Sequence, residues 1–255
     1  MRTDQVVLLT CDGVSGRVAA RYLASRFPEL AVIVEDPVPR SLLLRRRIKR
    51  LGLARVGGQL AFMVFERMQR IAARARIAEI MREHGFDARW PADVEITRVP
   101  SVNSQQCIAH LRRLQPRAIL VIGTRIIAPD VLQALDAPFI NYHAGITPTY
   151  RGVHGGYWAR AEGDSENFGV TVHLVDEGID SGEVLYQARL SPAAHDNYST
   201  YPYLQLAAAL PLLERGARDA LAGALKPQKV DLPSRLWSHP TLLQYIKAGW
   251  RTGAW

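Results

Sequence analysis

The sequence predicts an α/β fold, a doubly wound and mainly parallel sheet, and three observations carry that prediction. Apolar runs at Val6 to Leu9, Leu30 to Val34 and Ala118 to Ile122 are each bounded by turn-forming residues, as strands buried on both faces are. Segments with helical spacing lie between these runs, so strand and helix alternate. The run Phe139 to His143 ends in polar side chains, at the carboxyl end where such sheets hold ligands. With 255 residues the chain can bury a full core as one large domain, or as one domain with a small appendage.

Taken in order, Val6 to Thr10 reads as a buried strand, and Cys11 to Gly16 as the turn into a helix through Phe27. The strand Leu30 to Val34 stops at Glu35-Asp36-Pro37, and strand character then disappears until Val94. In between, Leu42, Leu43, Leu44, Ile48 and Leu51 precede a break at Gly57-Gly58. Leu60, Val64, Met68, Ile71, Ile77 and Met81 then recur at near-helical spacing up to Gly85. The expectation is a helical, basic insertion over about 38–85 whose Leu60, Val64, Met68 and Ile71 face docks on the sheet. Alternation returns from Val94 to Val99, and Pro100 to Ser104 offers an N-cap to a helix ending near Pro116. After the strands Ala118 to Ile122 and Phe139 to His143 comes a loop with Pro148, Arg151 and Gly152, then a helix over 155–163. Two strands, Gly169 to Leu174 and Glu183 to Leu190, flank the acidic loop Asp176 to Gly182. Residues 198–225 are Ala- and Leu-rich with a helical pattern, and a tryptophan-bearing tail follows from Leu232.

Composition narrows the classes. Only Cys11 and Cys107 are present, far apart and outside any C-x-x-C pairing, which argues against a disulfide framework or zinc site and points to a reduced, cytoplasmic setting. The apolar run near the start is too short for a signal peptide, and no window approaches the roughly 18 uninterrupted apolar residues of a membrane span. The net charge of +8 is concentrated: residues 40 to 76 hold eleven Lys or Arg and one acid, Glu66. A basic block in one place implies an anionic partner there, whether a phosphate-bearing small molecule, nucleic acid or a membrane surface, unless it is only a solvated helix face.

Three spaced elements carry the chemistry: Asn141-Tyr142-His143 leading to Pro148 and Gly152, then Gly169 to His173, then Asp176-Glu177-Gly178-Ile179-Asp180-Ser181-Gly182. Together they resemble the formyltransferase family, which includes glycinamide ribonucleotide transformylase, methionyl-tRNA formyltransferase and the sugar N-formyltransferases. Gly123 to Pro129 is similar to that family's pterin-contacting loop. The resemblance covers about residues 94 to 190, the first βα unit loosely, and residues 37 to 90 not at all. It implies a Rossmann-like catalytic domain over 1–190, 10-formyltetrahydrofolate as co-substrate, and no metal, while the helical pattern beyond reads as a C-terminal helical extension over 191–255. It also implies catalytic roles for Asn141, His143 and Asp180, cofactor contacts from Thr124, Arg125, Ile126, Ile127, Asp176 and Gly178, and support from His173 behind them. Acceptor candidates are Asp12 and Gly13, in a βα turn whose N–H groups can hold phosphate, Tyr150, Arg151 and Gly152, and Arg45 and Arg46 of the basic block.

These residue types suit the reaction. Formyl transfer to an amine develops negative charge on the formyl oxygen and requires the amine to shed a proton. The Asn141 amide can donate to that oxygen, and His143, two residues along an extended segment, lies on the same face. Asp180 beside the imidazole would orient it, raise its pKa and help carry the proton.

Departures from the family bear on the acceptor. His143-Ala144-Gly145 lacks the serine common in the third place, and the first turn lacks the purine enzyme's glycine-asparagine signature. Beyond Leu190 about 65 residues remain, helical in pattern, unlike the β-barrel of the tRNA enzymes. The expectation is formyl transfer to a small, phosphate-bearing primary amine, with an amino sugar on a nucleotide as the leading acceptor and nucleic acid not expected. Another amine, water in a formyl-folate hydrolase, and a non-catalytic nucleotide- or nucleic-acid-binding module stay open. So does the role of residues 40 to 76, which could wall the acceptor site or contact a membrane surface, and so does oligomeric state, a homodimer included.

Overall fold

The structure, a computed structural model, describes residues 4–255. β1 (Val6–Cys11) leads through α1 (Val14–Ala24) to β2 (Leu30–Glu35). Three helices follow, α2 (Arg40–Leu51), α3 (Leu53–Ala72) and α4 (Arg74–Glu83), before β3 (Glu95–Val99), α5 (Gln105–Leu114) and β4 (Ala118–Ile122). A single turn, α6 (Pro129–Leu132), precedes β5 (Phe139–His143), the two-residue β6 (Arg151–Gly152) and α7 (Gly155–Ala161). The chain finishes with β7 (Gly169–Leu174), β8 (Val184–Arg189), the long α8 (Tyr201–Leu221), the two-residue β9 (Leu236–Trp237) and α9 (Leu242–Thr252).

Seven strands form one sheet in the order β3-β2-β1-β4-β5-β7-β8. The pairings from β3 through to β5 are parallel, and β7 and β8 are antiparallel. Alternate residues of β1 serve the two faces: Val6 and Leu8 meet α1 and α8, while Val7 and Leu9 meet α5. Both faces are covered, so the central strands are apolar throughout. Residues 191–255 supply α8, whose Leu206, Leu210, Leu213 and Ala217 pack into the sheet's own core. Strand order reverses between β1 and β4, which opens a crevice at the carboxyl ends of the strands.

The insertion departs from its expected arrangement. The chain turns at Gly52, with φ +79°, and Gly57-Gly58 lies inside α3. Gly58 is required there by close approach of the α9 N-cap: a Cβ would come within 2.9 Å of the Thr241 Cβ. The face expected to dock is the outer one, with Leu60, Val64, Met68 and Ile71 all exposed. α3 instead buries Val56, Gln59 and Phe62. Phe62 enters an aromatic cluster, its ring 4.9 Å from those of Tyr198 and Tyr245. This cluster lies between α3, α7 and α9, not on the sheet, and offers α3 more aromatic surface than a strand edge could. Among the described residues no helix is long and apolar enough to cross a membrane.

Candidate active site

β5 carries Asn141 and His143 to the carboxyl edge of the sheet, and antiparallel pairing sets His173 of β7 opposite Asn141. Asp180 returns to them from the loop between β7 and β8, with its backbone at φ +47°. The Asn141 Nδ2 donates to His173 Nε2 at 3.0 Å and to Asp180 Oδ1 at 3.3 Å. Asp180 Oδ2 accepts the Gly152 N–H at 2.9 Å and lies 3.3 Å from His143 Nδ1. His143 Nε2 is 2.6 Å from the Tyr150 carbonyl. A carbonyl only accepts, so Nε2 carries the hydrogen and Nδ1 of the neutral ring keeps its lone pair. His173 Nδ1 likewise donates to the Leu174 carbonyl at 2.7 Å, which leaves Nε2 to accept from Asn141. Both Asn141 amide hydrogens therefore have acceptors.

Burial lowers the pKa of His143, and the Asp180 charge and the Tyr150 carbonyl recover only part of that shift. Asp180 raises the imidazole's pKa as expected, but desolvation of the ring outweighs the carboxylate's pull and the net shift is downward. Burial also pushes the Asp180 carboxyl up, but His173, His143 and the Gly152 N–H together hold it below the usual carboxylate range. The pair is thus an ionised carboxylate beside a neutral imidazole.

Two glycines make this geometry possible. A Cβ at Gly145 would come within 2.6 Å of the Tyr150 carbonyl oxygen, 2.8 Å of His143 Nε2 and 2.9 Å of the Gly155 Cα. The close packing of α7 against this loop explains why glycine stands where the family commonly has serine. Gly152, at φ +95°, would bring a Cβ within 2.3 Å of the Trp237 carbonyl oxygen, and its N–H holds Asp180.

A cavity of about 670 Å³ opens beside this cluster. One side is formed by Thr124, Arg125, Ile126 and Ile127 after β4, and by Asp176 and Gly178 after β7. Glu35, only 4% exposed, anchors the first of these loops. It accepts the Arg125 N–H at 2.6 Å and lies 2.7 Å from the Arg125 Nε. Asn103 brackets the same loop, donating to the Ile126 carbonyl at 2.9 Å and accepting the Ala128 N–H at 2.8 Å. The Arg125 guanidinium also donates to the Asp36 carbonyl at 2.6 Å, so this side chain ties the loop to the end of β2. Asp176 shapes the second loop by accepting the Gly178 N–H at 3.0 Å and the Ser181 hydroxyl at 2.9 Å. In the sequence Glu35 before Asp-Pro reads simply as a strand stop and Asn103 only as part of an N-cap segment, so neither signals contact with this loop.

The opposite side is built by the insertion and the C-terminal segment: Arg47 and Arg50 of α2, Gln59 of α3, His154, Trp237, Ser238 and His239. Arg45 and Arg46 do not line the cavity; Arg47, half-buried, and Arg50, exposed and one turn further along α2, do. Asp12 and Gly13 also lie outside the lining. The Asp12 carboxylate is held by Arg17 at 2.7 Å and Arg98 at 2.8 Å, and Ser15 reaches the cavity from that turn instead. Tyr150 points away, its hydroxyl donating to Asp164 at 2.8 Å, and serves the site only through its carbonyl. Arg151 pairs with Leu236 across β6 and β9, outside the lining, whereas Gly152 lies within it.

His154 and His239, which belong to none of the motifs in the sequence, meet in this wall with Nε2 and Nδ1 3.0 Å apart. Burial, then the neighbouring His239 and Arg47, push His154 down to about 3. Burial and Arg47 push His239 down to about 4. Among the described residues no three His, Cys, Asp or Glu side chains are grouped to hold a metal ion.

A neutral buried histidine, an ionised aspartate and an amide converge beside a cavity at the carboxyl edge of a doubly wound sheet, an arrangement able to hold and move a proton next to a bound molecule. The profile described as formyl transferase matches residues 68–203, more than half of the chain, and the chain belongs to that family. Among its relatives, a methionyl-tRNA formyltransferase from Anaeromyxobacter dehalogenans is 37% identical over 132 residues, which is 49% of this chain and 42% of that protein. The chain therefore spans less than half the length of that curated relative. The fold is shared with a sugar N-formyltransferase from a Shewanella species (TM-score 0.59, 15% identity, 96% of this chain and 87% of that chain). It is also shared with an N-formyltransferase from Helicobacter canadensis in complex with folinic acid and dTDP-3-aminofucose (TM-score 0.56, 12% identity, 91% of this chain and 70% of that chain).

Proposed function

We propose that the chain transfers a formyl group from 10-formyltetrahydrofolate to a primary amine, with an amino sugar carried on a nucleotide as the acceptor. The observation that carries this reading is the meeting of Asn141, His143 and Asp180 within 3.3 Å of one another through Asp180. The folate co-substrate, when bound, supplies the electrophilic formyl carbon. The residues fit it: about 670 Å³ is within the range of small-molecule sites, and the 124–127 and 176–178 loops offer backbone polar groups beside the apolar Ile126 and Ile127.

The chain's own groups then divide the work. Asn141 donates to the formyl oxygen by exchanging its longer hydrogen bond, the 3.3 Å one to Asp180, and keeps the 3.0 Å bond to His173 that orients it. His143 takes the amine's proton at Nδ1, because the Tyr150 carbonyl fixes the hydrogen on Nε2. The resulting imidazolium lies 3.3 Å from the Asp180 carboxylate, which stabilises it, and it returns the proton to the folate nitrogen as the bond between that nitrogen and the formyl carbon breaks. Arg47 and Arg50 support a phosphate-bearing acceptor, since both line the far wall and neither has a carboxylate within 4.0 Å among the described residues.

Turnover and thermal melting of His143→Ala and Asp180→Ala test this reading. Each variant is expected to lose roughly 10² or more in rate at near-native melting temperature. A His143→Ala protein that keeps more than about a tenth of the wild-type rate contradicts its role.

A further inference from the structure

α3 has two apolar faces, and only one is covered. Val56 and Phe62 are buried, while Leu53, Leu60, Val64, Met68 and Ile71 form an outer stripe that is 43% to 74% exposed. Leu42, Leu43 and Leu44 of α2 add further exposed apolar surface. A stripe along the length of a helix marks a contact surface, as singly scattered apolar residues do not.

Charge decides what it contacts. Residues 40 to 76 hold eleven Lys or Arg against one acid. Arg45, Arg46 and Lys49 are exposed, Arg67 stands among the apolar residues of the outer face, and none of the four is in an ion pair among the described residues. A second copy of the chain on this face would set two such blocks against each other, whereas an anionic surface neutralises them. We propose that α2 and α3 form a docking surface for an anionic phospholipid bilayer. The apolar stripe enters the interface, and the long basic side chains reach back to the headgroups. Because α2 also carries Arg47 and Arg50 on the cavity wall, docking holds that wall within about one helix diameter of the bilayer surface.

The test is flotation of the full chain with vesicles of phosphatidylcholine alone and of phosphatidylcholine mixed with phosphatidylglycerol, at low and high salt. Binding is expected on the mixed vesicles only, weakening as salt rises. Val64→Asp with Met68→Asp should reduce it more than about ten-fold by removing apolar insertion. A basic residue near an anionic surface contributes roughly five-fold in partitioning, so neutralising Arg45, Arg46 and Lys49 to Gln should weaken binding about 10²-fold. These residues are exposed, and melting curves check that both variants fold; if the aspartate pair does not, the glutamine variant decides alone. Absence of binding to mixed vesicles, equal binding to both vesicle types, or binding unchanged in a folded variant overturns the proposal. So does a dimer, seen by light scattering, that Val64→Asp with Met68→Asp converts to monomer.

Discussion

Acidification from about pH 7.5 to about pH 4.5 should destabilise the protein through two histidines that the folded state holds neutral. His154 and His239 face each other at 3.0 Å in the cavity wall, and burial pushes them from 6.5 down to about 3 and about 4. At about pH 7.5, one unit above the unfolded value, both are almost wholly neutral in the folded and the unfolded chain, and neither affects stability appreciably. Below it the unfolded chain binds protons that the folded chain does not, so stability falls with pH. At about two pH units below the unfolded value the loss is about 2.7 kcal/mol per histidine, or about 5 kcal/mol for the pair. That matches the lower end of a domain's whole stability, about 5–15 kcal/mol. His143, also lowered by burial, acts in the same direction, while the depressed Asp180 carboxyl yields its contribution only at lower pH. Urea unfolding of the wild type and of His154→Asn with His239→Gln, across this range, measures the effect. Asparagine tolerates the left-handed backbone at position 154, where φ is +59°. The wild type should lose about 5 kcal/mol more than the double variant. Parallel losses would refute the claim that the fold holds this pair neutral.

Other substitutions separate the remaining roles. Asn141→Ala should lower the rate by roughly 10²-fold or more, and Asn141→Asp should be slower still, because it aims negative charge at developing negative charge and at Asp180; equal rates would show that the amide does not face the formyl oxygen. Arg47→Glu with Arg50→Glu should raise the KM of a phosphate-bearing acceptor, most strongly at low salt, and leave the folate KM nearly constant, whereas Arg45→Glu with Arg46→Glu should change neither by more than about two-fold. Glu35→Gln should raise the folate KM roughly ten-fold by loosening Arg125 and the 124–127 loop, with little change in the acceptor KM; equal shifts in both would assign Glu35 to stability alone.

The alternation of strands and helices, and the strand-end position of Asn141 and His143, were legible because buried parallel strands must be apolar and their carboxyl ends need not be. Periodicity also placed a helix over Leu60 to Ile71 and gave the phase of its apolar stripe. It could not show which face had a partner: the covered face includes Gln59, and its aromatic neighbours Tyr198 and Tyr245 come from distant parts of the chain. The same limit misplaced the basic residues, since Arg45, Arg46 and Arg47 are equivalent by composition and only the orientation of α2 sets Arg47 and Arg50 on the cavity. His154 and His239 carried no signal because 85 residues separate them. The pull of Asp180 on His143 was legible, and the net downward shift was not, because a sequence shows the nearby aspartate and not the burial that outweighs it.

Calorimetric titration of the full chain with folinic acid, a stable formyl-folate, tests most directly whether this cavity is the folate site of a formyl transferase. One site per chain with Kd below about 1 mM is expected. It should persist in His143→Ala, where only proton handling is lost, and disappear in Ile126→Asp, which places a charge on the apolar side of the cavity. An absence of heat at millimolar folinic acid, or binding indifferent to Ile126→Asp, would contradict it.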